Sequence, residues 1–418
     1  MEPLSRRRWL SVVGLGGVAG LGGGLWGIAR ALSGPPRLDD RRAVIVLWLD
    51  GGPSQLETFD PHPGTRIAAG SSAISTAVPG IQLAAGFEQL AEQMADVSLV
   101  RSLVSKEGDH ERASYYIKNG YRLDPTAVHP SLGAILCDQI PGDGVEIPRH
   151  IAIMPGRWPP RGGFLGASFD AFKIGDPRGR LPDVQPLVSG ARSEQRFSDL
   201  DVVEREFGRG REQQGSETRH RQTIADARTM MGSAQLEAFD VAQEPDAVRE
   251  RYGDTAFGRG CLAARRLVEV GVRCVEVTLD GWDTHVDNHD ITRRRVRTLD
   301  PAFAALVADL RERELLEHTV VLCGGEFGRT PRLNRLEGRD HWPHGFSLAL
   351  AGGGLRGGQV IGSTDPEGGK EVVDPKTIAD VHATVLQTLG VDPGIEQVTL
   401  AARPIRLSEG TPIASLLG

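Results

Sequence analysis

The sequence predicts an α/β protein built on a mostly parallel central sheet flanked by helices, with a helical insertion, and three observations carry that expectation. Residues 43–49, AVIVLWL, form a continuously apolar, β-branched run, the pattern of a strand covered on both faces. Comparable runs recur at 97–103, 150–154, 272–279, 319–323 and 346–350, with helical stretches between several of them. The residues able to do chemistry follow closely on these runs, and in open α/β sheets ligands gather beyond the carboxyl ends of the strands.

Length and composition narrow the class further. At 418 residues the chain exceeds the size at which one core stops growing, and one large domain with an insertion is favoured over two domains. Hydrophobic residues at 39% and charged residues at 25%, beside 53 Gly and 26 Pro, describe a loop-rich globular protein. The net charge of -7 arises from acids and bases mixed along the length, which lacks the clustered Lys and Arg of a nucleic-acid surface, so no nucleic-acid partner is expected. Cys137, Cys261, Cys274 and Cys323 have no CxxC spacing and read as core residues, with a disulfide left open in an oxidising compartment.

Residues 1–35 read as an address and linker, and 36–418 as the domain it carries. Ser5-Arg6-Arg7-Arg8-Trp9-Leu10 precedes a charge-free, Gly- and Ala-rich stretch at 11–29, then Arg30-Ala31 and Pro35-Pro36. This is the layout of a twin-arginine export signal, so the twin-arginine translocase is an expected partner and the periplasm or exterior the expected location. Left uncleaved, the same stretch is about long enough to anchor the protein in a membrane. Gly14-Leu15-Gly16-Gly17-Val18-Ala19 matches the dinucleotide fingerprint but lacks the strand before it and the helix after it, and is discarded. Further along, residues 197–271 have apolar positions at helical intervals and read as the insertion. Two charge runs, 249–252 and 309–317, read as solvated helix faces.

Five polar groupings stand at or near strand ends: Asp50; Asp109-His110; Asp280-Gly281-Trp282-Asp283-Thr284-His285 with His289; Glu326-Phe327-Gly328-Arg329-Thr330; and Arg339-Asp340-His341-Trp342-Pro343-His344. Carboxylates and imidazoles together suit a divalent metal, zinc first, with manganese, iron or calcium as alternatives and one or two ions. Each member has a plainer reading beside it. A lone Asp at a strand end, such as Asp50, is more often a helix cap. Asp283 and His285 are the stronger pair, because a turn sets both on one rim. Arg329 is either a structural ion-pair partner or a clamp for an oxyanion. His62, His129, His150, His318 and His382 read as ordinary polar or core residues.

These strings resemble a known family. The stretch from Val44 through Asp50-Gly51-Gly52-Pro53-Ser54 to Pro61, then Gly281-Trp282-Asp283-Thr284-His285, Glu326-Phe327-Gly328-Arg329-Thr330-Pro331, Gly338-Arg339-Asp340-His341-Trp342-Pro343 and Val360-Ile361-Gly362, is similar to the sulfatase-like proteins called domain of unknown function fifteen-oh-one. That family is grouped with the alkaline phosphatase superfamily, which implies a mostly parallel sheet between helices and a two-metal site at the strand ends. By the resemblance, Asp50 matches a ligand of the second metal, while Asp283 with His285 or His289 matches the first. Glu326 and His341 match later ligands. His110 falls where the superfamily's helix carries a Ser, Thr or Cys nucleophile, which leaves it open as ligand, nucleophile or acid/base. His110 and Arg329 are the catalytic candidates, and Ser54, Asp109, Ser114 and His344 the substrate-binding ones, the two serines also being weaker nucleophile candidates.

Two functions follow as expectations. The first is an exported metal-dependent hydrolase of sulfate or phosphate esters, its anionic substrate extending to sulfated or phosphorylated glycans. The second is a non-catalytic metal-binding or scaffolding protein that keeps the sulfatase-like fold.

Overall fold

The computed structural model describes residues 41–178, 190–209, 220–399 and 401–418, together with Leu181, Val184 and Val188; the export signal expected over 1–35 lies outside them. The long strands form where the sequence is apolar on both faces: β1 (Ala43–Leu49), β2 (Val97–Leu103), β3 (His150–Ile153), β5 (Cys274–Leu279), β6 (Thr319–Gly324) and β7 (Phe346–Gly352). Two short edge strands join them, β4 (Phe172–Ile174) and β8 (Val360–Ile361). Segments of three and two residues are too short to show a hydrophobic period, which is why the sequence reading passes over them.

The sheet order is β8-β2-β7-β6-β1-β5-β3-β4. β1 runs parallel to β5, with Val44 opposite Cys274 and Leu49 opposite Leu279, and parallel to β6, with Ala43 opposite Thr319. Only β7 is reversed in this sheet, pairing antiparallel with both β2 and β6. The fold class is therefore α/β with a mostly parallel sheet, as the sequence predicts. β1 lies at its centre, so its carboxyl end opens between the ends of two parallel neighbours.

Both faces are covered. Odd-numbered residues of β1, from Ala43 to Leu49, pack with α3 (Ala256–Glu269) and α4 (Asn288–Glu312) in one core cluster. Val44 and Trp48 face the other way, toward α1 (His110–Asn119), α2 (Leu132–Gln139) and α5 (Ile378–Thr388). This alternation is the strand period of two applied to a buried strand.

Within 197–271 the described residues are helix-rich, including helices Ala191–Gly208, His220–Met231 and Asp246–Arg251 before α3. One expectation there is corrected. Tyr252 and Asp309, read as parts of solvated charge runs, are buried: the Tyr252 hydroxyl donates to Asp309 Oδ2 at 2.9 Å, and Arg265 pairs with the same carboxylate. Helical periodicity turns these two positions inward while Arg249 and Arg251 stay exposed. All four cysteines are buried and free. Among the described residues, no helix is long and apolar enough to cross a membrane.

One helix is aimed at the strand ends. The Asp109 side chain accepts the Arg112 amide at 3.2 Å and caps the amino end of α1. Gly120, at φ 73°, closes the other end against the His382 ring, where a Cβ would lie 2.8 Å from Nδ1. Ala113, Ser114 and Ile117 form its buried stripe, so His110, the first helical residue, stands on the same side, over the carboxyl ends of β1 and β6.

Candidate metal centre

Four connections meet there. The β1 and β5 ladders continue past the strands, with the Asp50 amide donating to Leu279 O at 3.0 Å and the Trp282 amide to Asp50 O at 3.1 Å. The chain then turns at Gly51, φ 114°, where a Cβ would stand 2.5 Å from the Asp283 amide nitrogen. Only glycine allows both that backbone and that approach. The loop after β5 is tied to the loop after β6 through Arg339 N to Thr284 O at 2.9 Å and Asn334 Nδ2 to His285 O at 2.9 Å. A short ladder pairs His341 with Arg329, and Ser105 N donates to Pro343 O at 2.8 Å, bringing in the connection after β2.

The result is a convergence of imidazoles on one carboxylate. His110 Nε2 lies 3.5 Å from Asp283 Oδ2, His285 Nε2 3.2 Å from Asp283 Oδ1, and His341 Nε2 3.5 Å from the same oxygen. Each ring's other nitrogen faces a group that only accepts: Nδ1 of His110 meets Glu326 Oε1 at 2.7 Å, Nδ1 of His285 meets Asp340 Oδ1 at 2.8 Å, and Nδ1 of His341 meets Gly108 O at 2.8 Å. Nδ1 must therefore carry the hydrogen in all three, which leaves the lone pair of a neutral ring on Nε2. His285 Nε2 and His341 Nε2 are 3.0 Å apart. Two lone pairs repel at that separation unless a proton or a cation lies between them. Among the described residues, His110, Asp283 and His341 form a group whose donor atoms all lie within 4.8 Å of one another, with His285 Nε2 beside them at 3.0 Å from His341 Nε2 and 3.2 Å from Asp283, so these residues can hold a metal ion. Three imidazole nitrogens and one carboxylate fit zinc or a neighbouring transition ion, and fit calcium poorly, since calcium takes six to eight oxygens.

The electrostatics follow from these contacts. The carboxylates of Asp283 and Glu326 hold the His110 imidazolium, raising its pKa from 6.5 to about 9. Burial alone would raise the Asp283 carboxyl, but hydrogen bonds from His110, His341 and Arg329 hold it far below the usual carboxylate range. The hydrogen bond from His285 lowers Asp340 as well. Phe327, 1% exposed, floors the centre with its ring 4.4 Å from that of His341 and 5.0 Å from that of His110. The opposite side is open, with the side chains of Asp283 and His285 exposed by 47% and 44%.

Of the residues singled out in the sequence, His110, Asp283, His285 and His341 meet at this point. Glu326 does not face the shared volume: its carboxylate accepts from His110 Nδ1 and from the Gly51 amide at 3.1 Å, placing it behind a donor. Arg329, 0% exposed, is an ion-pair partner rather than a clamp. It donates to Asp283 Oδ1 at 2.6 Å, to Gly52 O at 2.8 Å, to Arg339 O at 3.1 Å and to Gly51 O, and so offers no free fork to a substrate. Asp50 accepts the Trp48 indole N–H at 3.0 Å and is outside the clustered group. His289 is not brought to the centre; helix α4 turns its ring to Glu57, at 3.5 Å. Ser54 and Ser114 are each 1% exposed. Asp109 is the exposed cap of α1, and His344 stands beside the Trp342 ring at 5.0 Å, its pKa lowered by burial and by Lys370. The sequence reading names Asp340 only as part of the last polar grouping, without a role of its own, and misses the carbonyl of Gly108, because a backbone acceptor carries no sequence signal.

An α/β protein whose strand ends assemble a candidate histidine–aspartate metal centre is the class these features define. The chain belongs to the family described as "Protein of unknown function (DUF1501)", which it matches over residues 41–417. No curated protein matches its sequence. Among solved structures it is similar to the PsFucS1 sulfatase from Pseudoalteromonas sp., at 13% identity over 88% of this chain and 70% of that one, with a TM-score of 0.39. It is similar to Ps i-CgsB, solved in complex with k-i-k-neocarrahexaose, at 10% identity over 84% and 72%, TM-score 0.40. It is also similar to the alkaline phosphatase from the Antarctic bacterium TAB5, at 12% identity over 84% and 98%, TM-score 0.35.

Two outcomes are expected. Gly51→Ala forces a side chain into a left-handed backbone against Asp283, and chemical denaturation should register a loss of about 1–3 kcal/mol; an unchanged midpoint contradicts the close approach. In metal-free protein, NMR titration should place the His110 pKa near 9, and Asp283→Asn should return it toward 6.5. Because the folded value lies above the unfolded one, this proton stabilises the fold fully below pH 6.5, and the contribution disappears as pH rises through about 9. Titration of wild-type His110 at its ordinary value contradicts the contacts described.

Proposed function

We propose that this protein is an exported, metal-dependent hydrolase of anionic esters, sulfate or phosphate esters of glycans included. One observation carries the reading: the Nε2 atoms of His285 and His341 stand 3.0 Å apart with both Nδ1 atoms already donating elsewhere, an arrangement that calls for a proton or a cation between them and that a metal ion would satisfy. The bound ion supplies Lewis-acid polarisation of an ester oxygen and a lowered pKa for water.

The chain's own residues do the rest. Asp283 offers one oxygen to the shared volume while Arg329, 2.6 Å away, keeps it ionised and fixed. Glu326 and Asp340 fix the rings of His110 and His285, and the Phe327 floor excludes water from one side. The amino end of α1, carrying His110, adds partial positive charge where an anionic group would sit. Attack by water fits better than attack by a serine, because the Ser54 and Ser114 hydroxyls are buried. The sulfate or phosphate class rests on the sequence resemblance, and export rests on the paired arginines at 6–8. Burial of the Ser54 and Ser114 hydroxyls also favours a second reading, in which the centre holds metal without turnover.

Protein purified from the export route should contain a stoichiometric transition metal that calcium does not replace, and Asp283→Ala or His341→Ala should remove it. Aryl phosphates and aryl sulfates should then separate the readings. Turnover of at least one panel, lost in both variants by more than the roughly 10–100-fold typical of outer partners, supports the hydrolase. Metal retention with silence on both panels supports the second reading, and absence of metal contradicts both.

A further inference from the structure

Asp340 makes no contact with Asp283, His110 or His341 that would put it among the converging donors, yet it is built into the centre from three sides. Its Oδ1 takes the His285 Nδ1 proton at 2.8 Å and also accepts from Asn334 Nδ2 at 3.3 Å, while that same amide nitrogen donates to His285 O at 2.9 Å. Its backbone is clamped to Thr330 by two hydrogen bonds, Asp340 N to Thr330 Oγ1 at 3.0 Å and Thr330 N to Asp340 O at 2.8 Å. Carboxylate, ring and loop are thus fixed relative to one another by side chain and main chain at once.

This fixation has a specific consequence for His285. Of the three converging rings it is the most exposed, at 44% against 25% for His110 and 24% for His341, and its ring contact is with His341 at 4.8 Å, whereas Phe327 packs against the other two. An exposed imidazole is free to rotate and to exchange its hydrogen between nitrogens. A carboxylate that accepts only from Nδ1 removes both freedoms and leaves Nε2 as the ligating atom.

We propose that Asp340 is a positioning residue that commits His285 to metal ligation through Nε2. The inference rests on the metal-centre reading above and deepens it. Asp340 acts on metal affinity through the tautomer and orientation of one ring, with no contact to ion or substrate.

The test uses the full exported chain, stripped and reloaded with zinc against a competing chelating dye, together with ¹⁵N imidazole spectra of the metal-free protein. Asp340→Ala should weaken zinc binding by roughly 10–100-fold and shift His285 toward a mixture of Nδ1-H and Nε2-H forms. Asp340→Asn, whose side-chain carbonyl still accepts from Nδ1, should restore most of the affinity and the Nδ1-H form. A merely structural aspartate would leave the His285 tautomer unmoved. If Asp340→Ala binds zinc within about twofold of wild type and keeps the Nδ1-H form while Asp283→Ala abolishes binding, this inference is overturned and the metal centre stands. If wild type binds no zinc or other transition ion, both fall together.

Discussion

Repulsion between lone pairs is the constraint around which this protein's strand ends are organised. Three imidazoles turned so that their Nε2 atoms face one carboxylate, two of them 3.0 Å apart, form an arrangement that needs a proton or a cation among them. It is held from outside: Glu326, Asp340 and the Gly108 carbonyl each grip an Nδ1 hydrogen, and Arg329 grips the carboxylate. The remaining features serve those grips. Gly51 lets the first strand's turn close on Asp283, its amide orders Glu326, and its carbonyl receives Arg329.

The same outer set decides what chemistry the centre admits. Neutral imidazoles with Nε2 free are ligands for borderline ions, and the single inner carboxylate leaves too few oxygens for a hard ion such as calcium. In metal-free protein the carboxylates of Asp283 and Glu326 hold a proton on His110, drawing its pKa up to about 9. On the proposed reading, metal and proton would compete for one volume, so loading and pH would be coupled.

Much of this was legible in the sequence, for physical reasons that also mark the limit. Strands such as 43–49 and 319–324 announce themselves because burial on both faces demands continuous apolar runs, and the edge strands stay silent because two or three residues carry no period. The reversal of Phe346–Gly352 left no trace, since strand direction is set by connections rather than composition. Asp283, His285 and His341 could be picked out by their position after strands. The exchange of roles between inner and outer residues could not. Glu326 looks like a ligand in sequence because it is an acid at a strand end, but the short turn at Gly51 and the start of α1 place His110 in front of it. His289 follows His285 by one helical turn and still misses the centre, because α4 has begun by then and points its ring at Glu57.

Anomalous diffraction from crystals of zinc-loaded protein tests the central claim most directly. The account predicts a peak bonded to Nε2 of His110, His285 and His341 at about 2.0–2.1 Å and to a carboxylate oxygen of Asp283. A peak held instead by Asp50 and Glu326, or imidazoles ligating through Nδ1, would contradict it.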